Sequence, residues 1–204
     1  MTTLASRTLS VRLAEGWTLT GTITLALLAA SALIHVQAGG GTDGFRAVIR
    51  FTARTSLVLF LMSFAASSLV RLAPSRLTRW MMRNRRYLGV SFAMSHVIHA
   101  AAIIALVRAD AALFWQLSNL GSVVTGSTTY LVIALMTATS FDAAVRWVGP
   151  RVWRSLHWWG AWYIWVSFVF TNGKRVPMSL WYLGPVALLG LAMALRWMAS
   201  RRMA

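Results

Sequence analysis

The chain has 204 residues, 58% of them hydrophobic and only 12% charged, an apolar share above that of a soluble domain. It contains no cysteine, which excludes disulfides, iron–sulfur clusters and thiolate metal sites. A net charge of +16 would point to nucleic acid in a soluble protein. In a chain this apolar, what matters is how the charge is distributed among the loops.

Six apolar stretches of spanning length are predicted, at 17–36, 55–73, 87–107, 119–141, 156–171 and 179–197. The first follows Arg7, Arg12 and Glu15, is long for a signal-peptide core and lacks a small-residue cleavage site, so it is read as a transmembrane helix. His35 lies near its end. The glycine-rich segment 37–50 is expected to hold little more than an irregular loop or one interfacial turn. Arg54 falls at or inside the start of the second stretch. The third is entered through Arg85 and Arg86 and contains His96 and His99.

The fifth stretch is rich in tryptophan. Trp153, Trp158 and Trp159 suit interfacial anchoring, whereas Trp162 and Trp165 lie deeper, where flat rings could pack on a planar macrocycle or simply between helices. No soluble domain, internal repeat or Walker, Rossmann or zinc-protease motif is present. The expected fold is all-α: a single domain over 1–204, built as a six-transmembrane-helix bundle.

Basic residues concentrate in alternate connections. Arg7 and Arg12, then Arg71, Arg76, Arg79, Arg83, Arg85 and Arg86, then Arg146, Arg151 and Arg154, and finally Arg196, Arg201 and Arg202 all fall on one side. The opposite side carries Arg46, Arg50, Arg108, Lys174 and Arg175. By the positive-inside rule both termini are expected in the cytoplasm.

Ionisable side chains inside a span are costly and usually functional, which singles out His96, His99, His157 and Arg54. No carboxylate is embedded, against a proton pump or cation transporter, and none is placed to orient a histidine beside a serine nucleophile. Histidine in an apolar bundle suits axial ligation of haem; equally, each imidazole could hydrogen-bond a Ser, Thr or backbone group across a helix interface. Arg85 and His99, fourteen residues apart, share a helix face across about 21 Å of rise. His157 is only three residues beyond Arg154, so the two histidines are expected at different depths.

FTARTSLVLFLMSFAASSLVRL at 51–72, RRYLGVSFAMSHVIH at 85–99 and WRSLHWWGAWYIW at 153–165 resemble, in order and spacing, segments of the MsrQ (YedZ) family. These are haem-binding membrane subunits of the ferric-reductase-like transmembrane superfamily, and the resemblance runs from about residue 15 to residue 197. It implies a multi-pass protein of the bacterial inner membrane that carries electrons through haem b. The electrons would come from a cytoplasmic flavin carrier (FMN) or quinone and go to a periplasmic reductase, such as a methionine sulfoxide reductase. The chain would be an electron-transfer subunit rather than a complete enzyme, with no nucleic-acid partner.

By position the resemblance assigns iron ligation to His99 and His157, and an approach to the inner haem to Arg85, whose guanidinium could hold a propionate. Few residues follow the sixth stretch, so the flavin and nicotinamide domain of larger relatives is not expected and a separate donor is. One departure matters. Relatives carry a second histidine thirteen residues after the first on the fifth helix, where this chain has Phe170. His35 and His96 lie outside the family pattern; His35 could substitute for the missing ligand, and Met136 is among the methionines that could donate sulfur. The alternative reading is a family member with a degenerate haem site, acting as a membrane scaffold or binding subunit.

Overall fold

The computed structural model describes residues 15–202; Arg7 and Arg12, part of the charge argument, lie outside them. Nine α-helices and no strand occur among the described residues. They are α1 (Gly16–Gln37), α2 (Gly41–Leu72), α3 (Arg76–Arg83), α4 (Arg85–Ala109), α5 (Ala111–Leu117), α6 (Leu120–Ala138), α7 (Asp142–Val148), α8 (Pro150–Gly173) and α9 (Leu183–Arg201). Two 3-10 turns, Val176–Met178 and Leu180–Tyr182, precede α9.

Five segments are long and apolar enough to cross a membrane: α1, α2, α4, α6 and Leu180–Arg201. The all-α, multi-pass membrane character expected from the sequence is therefore present. Helix α8, at 24 residues, is long enough but not among them. Its bulk is tryptophan, an amphipathic ring with a polar N–H rather than a purely aliphatic side chain.

The largest departure from the sequence reading is in 37–50, where helix replaces the expected loop from Gly41 onward. Gly39, Gly40 and Gly41 have φ of 86°, 68° and 50°, the left-handed region that glycine enters without penalty. They confine the reversal to three residues, with the Gly40 N–H donating to the His35 carbonyl at 2.9 Å. Asp43 in the first turn of α2 favours the helix dipole.

The chain forms two compact units, one comprising residues up to Phe60 with Arg83–Ser118, the other Leu61–Met82 with Asn119 onward. Helix α2 continues through the boundary at residues 60 and 61. In the first unit α1 docks on the start of α4. The Gly16 N–H donates to Oδ1 of buried Asn84 at 2.9 Å, the Thr20 hydroxyl to the Tyr87 carbonyl at 3.2 Å, and Trp17 meets Tyr87 edge-on. An exposed ion pair, Arg83 with Glu15 at 3.0 Å, closes the same corner. Asp110 ends α4 and caps α5, accepting from the Leu113 N–H at 2.8 Å.

In the second unit α8 starts at a Gly149–Pro150 step, with proline in the first turn, where its missing N–H costs nothing. Gly160 admits α6: a Cβ there would overlap the Met136 sulfur and come within 3.2 Å of Val132. Thr129 and Ser167 join the two helices at 3.1 Å, and the Trp165 N–H donates to the Leu189 carbonyl of α9 at 3.1 Å. Arg196 of α9 donates to the Phe64 carbonyl at 3.1 Å while its guanidinium lies 4.4 Å from the Phe64 ring and 5.3 Å from Trp162. That pairing with π-faces and a carbonyl is how an arginine is accommodated among apolar side chains.

Candidate functional site

In the first unit a polar seam joins α2 to α4. Ser91, Ser95 and His99 recur every fourth residue on α4, and Thr52 and Ser56 do so on α2, so each set occupies one helix face. Thr52, Ser56, Ser91 and Ser95 are completely buried. The Ser56 hydroxyl donates to Ser95 Oγ at 2.8 Å, Thr55 lies 3.1 Å from the same oxygen, and His99 Nδ1 lies 2.8 Å from Thr52 Oγ1. Partners rise along α2 as they fall along α4, so the helices are antiparallel here.

The Thr52 bond sets the chemistry of His99. A hydroxyl has one proton, and the Thr52 oxygen sits 2.7 Å from the Val48 carbonyl. With that proton given to the carbonyl, Oγ1 accepts from Nδ1–H and the imidazole lone pair is placed on Nε2. An outer partner that fixes tautomer and ring orientation in this way is the usual support of a ligating histidine. It is also the cross-helix hydrogen bond that a purely structural histidine makes.

The other sequence-selected residues of this unit differ from His99. His96 packs on Phe92, with ring centroids 4.6 Å apart, and lies 5.9 Å from the His99 ring on the same helix face, so the two cannot bind opposite sides of one iron. His35 stacks on Phe45 at 4.7 Å and presses on Gly44, where a Cβ would come 2.8 Å from the His35 carbonyl oxygen. Arg85 is half-buried in the first turn of the helix that carries His99, and Arg54 is exposed on α2. The first turn of α4 holds no acid, so Arg85 and Arg86 add charge to the positive end of a helix dipole, a combination that favours an anionic neighbour.

His157 belongs to the second unit and is held the other way round. Its Nε2 lies 3.0 Å from Thr139 Oγ1, which in turn lies 2.8 Å from the Leu135 carbonyl. The same proton count makes Nε2 the donor and leaves the lone pair on Nδ1. Trp153 stacks on the ring at 4.5 Å and 30° and donates its N–H to the Thr139 carbonyl at 2.9 Å. Trp153, expected as an interfacial anchor, thus clamps His157. Phe170 is exposed on α8, beneath the Lys174 ammonium at 5.6 Å. Met136, considered as a sulfur donor, packs its thioether against Gly160.

Among the described residues no three His, Asp or Glu side chains gather as ligands for a bare metal ion. A macrocycle supplying its own equatorial donors needs only one or two imidazoles. His99 is engaged by Thr52 through Nδ1, the nitrogen opposite the one such a group would take. His157 meets the requirement through Nε2 only after leaving Thr139. Thr52, Ser56 and Ser95 escaped the sequence reading; their four-residue spacing beside His99 was the available signal. Comparison with family models, characterised proteins and solved structures finds no match to this chain.

Proposed function

We propose that the chain is a b-type haem subunit of a bacterial inner-membrane electron-transfer system. In this reading α1, α2, α4, α6, α8 and α9 are six spans with both termini cytoplasmic, and electrons pass from a cytoplasmic flavin or quinone donor to a periplasmic reductase of the methionine sulfoxide type. The observation that carries the proposal is the His99–Thr52 pair: a half-buried imidazole between two apolar helices, its Nδ1 engaged by a buried, back-bonded threonine and its lone pair placed on Nε2. The motif resemblance at 51–72, 85–99 and 153–165 supports it independently.

The haem, when bound, supplies one-electron chemistry. The chain's own contribution is positional. Thr52 orients His99 and the Ser95–Ser56 contact locks α4 against α2 beside it; Arg85, about 21 Å away along α4, is the charge that the resemblance assigns to an inner haem, where it could hold a propionate. His157, in the second unit, is the other imidazole that the resemblance assigns to iron, and it would have to exchange its Thr139 contact for ligation.

A second reading is a membrane scaffold descended from such a subunit. It is favoured by the engaged Nε2 of His157 and the outward Phe170. One preparation separates the two: the full chain, expressed with ample haem and purified in detergent, examined by reduced-minus-oxidised spectra and pyridine haemochrome stoichiometry. The cytochrome reading expects a b-type spectrum that His99→Ala abolishes and His157→Ala weakens. A chain without haem at any stoichiometry would be the scaffold.

A further inference from the structure

The first unit carries an open groove of about 610 Å³, lined by Phe45 of α2 and by Ala101, Ile104, Ala105, Arg108 and Ala109 of α4. Its volume is in the range of small-molecule sites. The groove exists because Ala101, Ala105 and Ala109, four residues apart, give α4 a strip of single-carbon side chains, while Phe45 stands as the opposite wall. At the end of that strip is Arg108, exposed, in the last turn of a membrane-spanning helix.

Arg108 makes no ion pair among the described residues, and the acids two positions from Phe45 and two positions from Arg108 are committed elsewhere. Asp43 bonds Arg46 at 2.9 Å and Asp110 caps α5. An apolar trough ending in an uncompensated guanidinium at the end of a span complements one kind of molecule: an acyl chain ending in a phosphate.

We propose that this groove is a binding site for an anionic phospholipid, with one acyl chain along the alanine strip and the headgroup phosphate on Arg108. The site does not involve the histidines and stands whether or not the chain binds haem. A neutral isoprenoid quinone would fit the trough but leave the guanidinium without a counter-charge.

The test uses the intact protein in detergent, titrated with phosphatidylglycerol or phosphatidylcholine of equal chain length and read by native mass spectrometry. Phosphatidylglycerol is expected to bind about fivefold more tightly, the ratio that one surface arginine gives toward anionic lipid. Arg108→Gln should reduce that ratio to about one. Ala101→Phe, filling the groove from an exposed position, should weaken both lipids, and Arg46→Gln should leave the preference intact.

Unchanged preference in Arg108→Gln, accompanied only by a lower melting temperature, would make Arg108 a helix-end cation and overturn the proposal. Displacement of the lipid by inorganic phosphate alone would do the same by reducing the site to an anion contact. Binding of a ubiquinone analogue that Ala101→Phe removes, with no phospholipid preference, would give the groove to quinone. Melting temperatures within a few degrees of the parent establish that each variant is folded.

Discussion

At the scale of single residues, two histidines bonded to two threonines present opposite nitrogens. Thr52 holds Nδ1 of His99, while Thr139 holds Nε2 of His157. Thr52→Val keeps the shape and removes the hydroxyl. If haem is bound through His99, its affinity should fall about 10- to 100-fold, the usual cost of losing an outer partner of a ligating imidazole. Haem titration of the two proteins measures this, and equal affinities would detach Thr52 from the site. Phe170→His should restore no second low-spin signal, because the side chain at 170 is 61% exposed; a gained signal in the reduced spectrum would contradict that orientation. The sequence marked both histidines as embedded but could not tell ligand from bundle contact. Which ring nitrogen is engaged depends on a threonine eighteen or forty-seven positions away.

At the scale of helices, two glycines invite the same substitution with different results. Gly44→Ala drives a methyl into the imidazole and the backbone oxygen of His35, and that backbone cannot yield without opening the α1–α2 turn. Gly160→Ala meets the flexible end of Met136, which can change rotamer at smaller cost. Thermal unfolding followed by size-exclusion in detergent should show a clear loss of folded protein for Gly44→Ala and a shift of only a few degrees for Gly160→Ala; the reverse order would mean the α1–α2 turn is the softer contact. Apolar runs made α1, α4 and α6 legible to within about three residues. The start of α2 was hidden because a glycine cluster reads as a loop, although Phe45, Val48 and Ile49 already follow helical spacing. Helix α8 was legible as an apolar stretch at 156–171, but its start was missed by six residues, since the Gly149–Pro150 step that opens it precedes a run with two arginines; its tryptophans keep it out of the most apolar class.

At the scale of the molecule, the absence of cysteine makes the proposed topology directly measurable, since any thiol introduced is the sole target of a maleimide. In spheroplasts, Gln116→Cys and Met178→Cys should react with a membrane-impermeant reagent, whereas Ala73→Cys and Ser200→Cys should react only after lysis. Protection of Met178→Cys together with labelling of Ser200→Cys would remove α8 from the spans. Alternating arginines in the connections are what suggest this arrangement, because each charge left on the wrong side costs transfer energy that the chain avoids locally. The division into two units was not readable, because α2 belongs to both and no linker marks the boundary.

Helix α2 has 32 residues, which at the α-helical rise makes a rod about 48 Å long. A bilayer's hydrocarbon layer is about 30 Å thick, and even a tilt of about 40°, steep for a membrane helix, leaves several ångströms over. The charges show which end overshoots: Asp43, Arg46 and Arg50 crowd its first turns, while nothing charged occurs between Thr55 and Val70. The rod therefore stands proud of the lipid like a mooring post. With α2 as a span, that overshoot would lift the triple-glycine bend toward water and bring Phe45 near headgroup level.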